Sequence, residues 1–197
     1  GVELDLSYRD NYGDFSWNIS ANATYTKNVL TELGDDATSL YGSSHKIGQL
    51  TRGIVGLPFP YFYGHKSDGI FQNAEEVAAH VNKDGNLLQP NAQPGDVRFL
   101  DVDGDGDIDD DDRTYIGKGT PDWSFGLNIG FEWKGLDFSM RLQGTVGNQV
   151  FNVSRRTDLY YVNLPRTILN RWTGEGTSNT NPRFVFESAN ENYRSSD

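Results

Sequence analysis

The chain has 197 residues, of which 22 are glycine and only 36% are hydrophobic, a balance that favours many strands and long loops over a helical core. With a net charge of −11 and no basic stripe to hold phosphates, it is not the kind of chain that binds nucleic acid. Cysteine is absent, which excludes disulfides and thiolate metal sites, and no apolar run is long enough for a transmembrane helix. A membrane strand is not excluded, because it needs only about 9–11 residues and hides its apolar face by alternation.

Residues 2–8 alternate strictly, with Val2, Leu4, Leu6 and Tyr8 on one face and Glu3, Asp5 and Ser7 on the other. A turn signal spans residues 9–14. The pattern then resumes, with Phe15, Trp17, Ile19, Ala21, Ala23 and Tyr25 set against Ser16, Asn18, Ser20, Asn22 and Thr24. Residues 1–25 therefore read as a β-hairpin with one wet face.

Residues 26–120 form an excursion too long to be structureless in a compact protein. Within it, the apolar segment LPFPYFYG (residues 57–64) carries prolines that disfavour a central strand and reads as a packed loop core. Asn73 is placed to cap a short helix over residues 74–81, with Glu76 completing a pair of the capping-box kind. Asn82-Lys83-Asp84-Gly85 ends it, and Pro90, Pro94 and Gly95 lead on as an extended, turn-rich segment.

The stretch DVDGDGDIDDDD (residues 101–112) holds eight of the 28 acidic residues; the other 20 nearly balance the 17 bases. A calcium loop of the EF-hand kind needs oxygen ligands at positions 1, 3, 5, 7, 9 and 12 and glycine at 6. Asp101, Asp103 and Asp105 fill the first three places, and Gly106 makes the turn. Asp107 offers its carbonyl, Asp109 ligates through water and Asp112 closes the loop, with Ile108 as its apolar anchor. Asp in the closing place, where Glu is usual, lowers the expected affinity and leaves magnesium open. The flanks lack helical periodicity, so the ion would be structural rather than a switch. The competing reading is a solvated acidic turn.

Residues 121–148 repeat the hairpin pattern. Phe125, Leu127, Ile129, Phe131 and Trp133 precede the short turn Lys134-Gly135, and Leu136, Phe138, Met140 and Leu142 follow it. A soluble β-sandwich would alternate in the same way. Three features favour a barrel in lipid: uncharged apolar faces, second and third strands of transmembrane length, and aromatics crowded beside both short turns. In that reading Phe125, Leu127, Ile129, Phe131 and Met140 face lipid, while Asn128, Glu132, Arg141 and Gln143 face the lumen. The short turns mark one side of the membrane, and the excursion and residues 149–197 become external loops. The latter is mixed, with Arg155-Arg156, Tyr160-Tyr161 and Trp172, and its aromatics read as a small loop core rather than a platform for stacking on sugar rings.

No nucleophile, base or catalytic carboxylate pair stands out, and the chain is read as a non-enzyme. His45, His65 and His80 are scattered without partners at ligand spacing and read as surface or turn residues.

Four segments together resemble the SusC/RagA-type TonB-dependent outer-membrane transporters of Bacteroidetes. They are FYGHKSDGIFQNAEEV (residues 62–77), QPGDVRFLDVDGDGDIDDDDRTYIG (93–117), PDWSFGLNIGFEWKGLDFSMRLQGTVGNQVFN (121–152) and RWTGEGTSNTNPRF (171–184). The resemblance implies an all-β fold, an antiparallel transmembrane β-barrel of roughly 22 strands, to which this chain contributes two hairpins, large extracellular loops and one short helix. It also implies an N-terminal plug and TonB-box, a SusD-like surface lipoprotein, TonB coupling through a part not present here, and an oligosaccharide or peptide substrate. The expectation is a late piece of such a barrel, truncated at both ends. A calcium-stabilised soluble β module that binds carbohydrate or mediates adhesion is the alternative.

Overall fold

The computed structural model describes residues 1–34, 37–42, 44–45, 48–152, 163–185 and 189–194. The chain divides into two compact units, Gly1–Leu40 with Gly53–Tyr61 and Gly117–Val150, and Tyr41–Arg52 with Phe62–Ile116 and Phe151–Asp197.

The first unit is built on four strands of 11 residues each: β1 (Val2–Tyr12), β2 (Phe15–Tyr25), and, much later in the chain, Trp123–Trp133 and Leu136–Val146. Counting the short strands between, the last two are β11 and β12. They form one antiparallel sheet ordered β1-β2-β11-β12, so both predicted hairpins exist and are joined through β2 and β11. The expected turn over residues 9–14 is too long. Arg9, Asp10 and Asn11 continue the ladder opposite Asn18, Trp17 and Ser16, leaving a two-residue turn at Gly13-Asp14. Gly13 takes φ 60 at the first turn position, whereas Lys134 (φ 48) and Gly135 (φ 86) are both left-handed. Such turns match the right-handed twist of the strands they connect.

At the opposite edge the Thr26 N–H donates to the Asp122 carbonyl at 2.8 Å, and the Asp122 N–H donates to the Val146 carbonyl at 2.9 Å. The long excursion thus leaves and re-enters at adjacent points. Part of it stays in this unit, where Leu30 and Leu57 pair through their backbones at 2.9 Å.

Apart from Leu40, Gly53, Tyr61 and residues 117–118, which belong to the first unit, the second unit carries the short elements β3 (Leu40–Tyr41), β4 (Ser44–His45), β5 (Gly48–Gln49), β6 (Thr51–Gly53), β7 (Tyr61–Gly64), β8 (Ser67–Ile70), α1 (Ala74–Ala79), β9 (Val97–Phe99) and β10 (Thr114–Lys118). Its residues of β10, β7, β6 and β3 lie in a sheet of that order. This corrects the reading of residues 57–64 as loop: 61–64 form an inner strand, made possible because Pro58 and Pro60 precede it and every ladder N–H is kept. Strands β8 and β9 pair antiparallel around a bulge and carry the buried Ile70, Val97 and Phe99, beside the fully buried Phe71.

Helix α1 begins as expected, with the Asn73 side chain accepting the Glu76 N–H at 2.9 Å. The Glu76 carboxylate reaches back one residue further than a capping box does, accepting the Gln72 N–H at 2.8 Å. The helix stops at Ala79, two residues early, because His80 leaves helical geometry at ψ 77 and Val81 bridges to Leu87.

Candidate functional site

The register of the long sheet decides which side chains share a face. Leu6, Ala21, Leu127 and Leu142 stand in one row across the four strands, and Tyr8, Ile19, Ile129 and Met140 in the next. Phe125, Leu127, Ile129, Phe131 and Met140 therefore lie on one face, with Asn128, Glu132, Arg141 and Gln143 on the other, as the alternation predicts.

The apolar face is uncovered: Val2 is 68% exposed, Leu6 60% and Leu142 49%. Aromatic residues gather at both of its ends. Tyr25 and Trp123 are 5.0 Å apart at the loop edge, while Phe131 and Phe138 stack at 5.0 Å near the turns, with Phe15 at 5.8 Å from Phe131. Eleven residues rise about 36 Å along a strand, or about 25 Å when tilted by some 45°, the height of an apolar membrane band.

One expectation fails here. The face is not free of charge, because extending β1 to Tyr12 brings Asp10 onto it, directly opposite Trp17. The Tyr8 hydroxyl donates to the Asp10 carboxylate at 3.3 Å.

The polar face holds a concavity of about 700 Å³ over Asn22, Gly126, Asn128, Arg141 and Gln143. Arg141 Nε donates to Asn128 Oδ1 at 2.8 Å, and Asn128 Nδ2 donates to Ser20 Oγ at 3.1 Å. This chain of hydrogen bonds orders the face without an apolar partner.

The acidic loop lies in the second unit. Carboxylate oxygens of Asp101, Asp103 and Asp105 lie within 4.8 Å of one another. The loop's own N–H groups hold them there: Gly104 and Gly106 donate to Asp101 at 2.6 and 3.0 Å, and Asp105 donates to Asp103 at 3.1 Å. The Asp105 N–H draws the Asp103 pKa down, but desolvation and the charges of Asp105, Asp112 and Asp101 outweigh it, and the net displacement is upward.

The other proposed ligands are placed differently. Asp107 is exposed and its side chain accepts the Ile108 N–H at 2.9 Å, while Ile108 is half-buried. Asp109 caps a single 3₁₀ turn, Asp110–Asp112. Asp112 is buried, and its two oxygens accept the Val102 and Asp109 N–H groups at 2.6 and 2.9 Å. It closes the loop on the backbone and stands outside the three-carboxylate cluster. The donor set, all hard carboxylate oxygen, suits a calcium-like ion.

The second unit also contains a buried polar knot with no local sequence signal. Asp96 is fully buried and accepts from Arg183 Nε at 2.6 Å and Nη2 at 3.0 Å, from Asn192 Nδ2 at 2.8 Å and from the Gln93 N–H at 2.9 Å. Gln89 donates to Asn190 at 2.7 Å and accepts the Phe99 N–H at 2.8 Å. Trp172 lies against Gly95, where φ is 90 and an added Cβ would come within 2.4 Å of the indole. Its Nε1 donates to Gln72 Oε1 at 3.2 Å. Three of the four resemblance segments meet here, joined by pairs such as Gln72–Trp172 and Asp96–Arg183. Trp172 thus belongs to a loop core, as expected; Arg155, Arg156, Tyr160 and Tyr161 lie outside the described residues.

His65 is not a surface residue. It is 5% exposed, and neither ring nitrogen has a hydrogen-bond partner among the described residues. Burial pushes its pKa below the ordinary value; Arg194 and Arg113 add to the effect, while Asp110 and Asp112 oppose it. Burial also lowers His80, which closes the end of α1. The side chain of His45 lies outside the described residues.

An antiparallel sheet with one uncovered apolar face and one polar face defines an all-β protein of the kind from which membrane barrels are made. No protein-family model matches the chain. Known proteins do: it is 32% identical over 181 residues to TonB-dependent receptor P26 and 28% identical over 190 residues to TonB-dependent receptor P3, both of Formosa agariphila, matching 86% and 93% of the chain. It is 29% identical over 140 residues, 70% of the chain, to TonB-dependent receptor SusC of Bacteroides thetaiotaomicron. Among solved structures, the RagAB peptide importer in its open-open state covers 98% of the chain at a TM-score of 0.62 and 20% identity. A second RagAB peptide transporter structure covers 93% at 0.61 and 21%. The chain belongs to the TonB-dependent receptors. It spans 17% and 18% of the length of the two Formosa relatives and 20% of the solved importer chain. These relatives are receptors and importers, not enzymes.

Proposed function

We propose that the four-stranded sheet is a section of the wall of an outer-membrane barrel, in a TonB-dependent importer that takes up an oligosaccharide or a peptide together with a SusD-like surface lipoprotein. The observation that carries this is the uncovered apolar face, four strands wide and edged with aromatic rings. In water such a face would drive aggregation, whereas against acyl chains it needs no cover. The outer strands β1 and β12 then pair with further strands of a barrel of roughly 22. Both tight turns then sit on the periplasmic side, and residues 26–120 and 149–197 form external loops, where a lipoprotein partner and substrate would meet them.

Supporting this reading are the names of the relatives, among them SusC and the RagAB peptide importer. The test is cysteine scanning of the intact protein in its native membrane. Labels at Leu127 and Leu142 should be reached by lipid-soluble quenchers and those at Asn128 and Gln143 by aqueous ones. The opposite pattern, or partition of the protein into the aqueous phase of a detergent extraction, would leave the soluble carbohydrate-binding module as the better account.

Within the external part, the loop 101–112 acts in this reading as a calcium clasp. Asp101, Asp103 and Asp105 supply carboxylates, Asp107 its carbonyl and Asp109 a ligand through water, while Asp112 holds the loop closed through the Val102 and Asp109 N–H groups. The ion would neutralise carboxylates that otherwise repel one another.

A further inference from the structure

On the apolar face of the long sheet Asp10 is the one charged residue, and its carboxylate is held on the surface by two donors, the Asn11 N–H at 2.8 Å and the Tyr8 hydroxyl at 3.3 Å. Among the described residues no cation pairs with it. A carboxylate so placed keeps its solvation only where water or lipid headgroups reach it. Its surroundings are those of an interface: Trp17 stands opposite it, with its ring 5.3 Å from Tyr8, and one row further out Lys134 lies 5.6 Å from the Trp133 ring at the tight turn.

We infer that Asp10 sets the depth of this sheet in the bilayer, with the polar boundary of the turn-side leaflet crossing β1 at Asp10. The inference rests on the lipid-facing reading above and adds a level to it. Strand β1 descends about 2.5 Å of depth per residue at a tilt near 40°. An apolar band of about 25 Å measured from Asp10 then places its midplane about five residues away, between Leu4 and Leu6. Tyr12, although 87% exposed on the same face, lies outside the hydrocarbon in the headgroup layer.

The experiment uses the intact protein with a single fluorescent label at Leu4→Cys or Tyr12→Cys, reconstituted in phosphatidylcholine brominated midway along its acyl chains. The Leu4 label should be quenched at least twice as strongly as the Tyr12 label. Adding Asp10→Leu should then raise quenching at Tyr12 at least twofold, because the apolar band can extend toward the turn. Equal quenching of the two labels, or a Tyr12 label indifferent to Asp10→Leu, overturns the inference while leaving the barrel wall intact. A Leu4 label that acyl-chain bromine does not reach overturns the lipid-facing reading itself.

Discussion

Phe15 lies directly opposite Trp133. Both residues adjoin tight turns, so this single pairing puts the Gly13-Asp14 and Lys134-Gly135 turns on the same edge of the sheet. Every long connection therefore leaves from the other edge, which is the layout of a barrel wall with short turns on one side and large loops on the other.

The two faces should respond differently to the same charge. Leu127→Arg places a guanidinium in the middle rows of the apolar face and should destabilise the membrane-embedded protein by about 2–4 kcal/mol. Gln143→Arg, on the polar face, should change stability by no more than about 0.5 kcal/mol. Chemical denaturation of both variants in the same lipid checks this, and equal losses would count against the assigned faces.

The Asp96–Arg183 pair should hold residues 171–185 in place. Asp96→Ala removes four hydrogen bonds from a fully buried acceptor and leaves a mostly buried guanidinium without its charge partner. Breaking such a pair costs about 3–5 kcal/mol. Limited proteolysis should show new cleavage within 171–185 while the long sheet stays protected; an unchanged digest would mean the knot is not what secures the segment.

Acid should loosen the second unit. Burial holds His65 and His80 below 6.5, so the unfolded chain binds protons that the folded chain does not. Their contribution is complete above about pH 6.5 and is lost as pH falls from there through the folded values. Protease resistance of the region 62–116 should drop between pH 7 and pH 5, and His65→Gln with His80→Gln should flatten that profile. A slope that survives both substitutions assigns it to other groups.

Calcium should protect the same region, and Asp101→Ala with Asp105→Ala should abolish the protection while leaving the hairpins folded. Acid should compete with the ion, since the Asp103 pKa is raised from its ordinary value by desolvation and the neighbouring carboxylates and its proton must leave before it ligates. Isothermal titration at neutral and mildly acidic pH tests both points. No heat at millimolar calcium, together with chelator-insensitive proteolysis, would reduce the loop to an acidic turn.

Much of the site's local form was legible in the residues. The alternation of Phe125 to Trp133, the Lys134-Gly135 turn, the Asn73 cap and the convergence of Asp101, Asp103 and Asp105 all arise from neighbours within a few positions, where period, turn chemistry and side-chain-to-backbone hydrogen bonds act directly. The strands between residues 40 and 118 were not legible, because runs of two to five residues are too short to display a period.

The sequence by itself thus determined the strand faces, the two hairpins and the acidic loop. Tertiary structure alone decided that Ala23 meets Phe125, about a hundred residues later, and so joined the hairpins into one sheet. It also decided that Asp96 finds Arg183 and that His65 is buried. It carried β1 past Tyr8, placing Asp10 on the apolar face. Pairing and burial depend on which distant segments close together, a choice made by summed packing and hydrogen bonding across the chain.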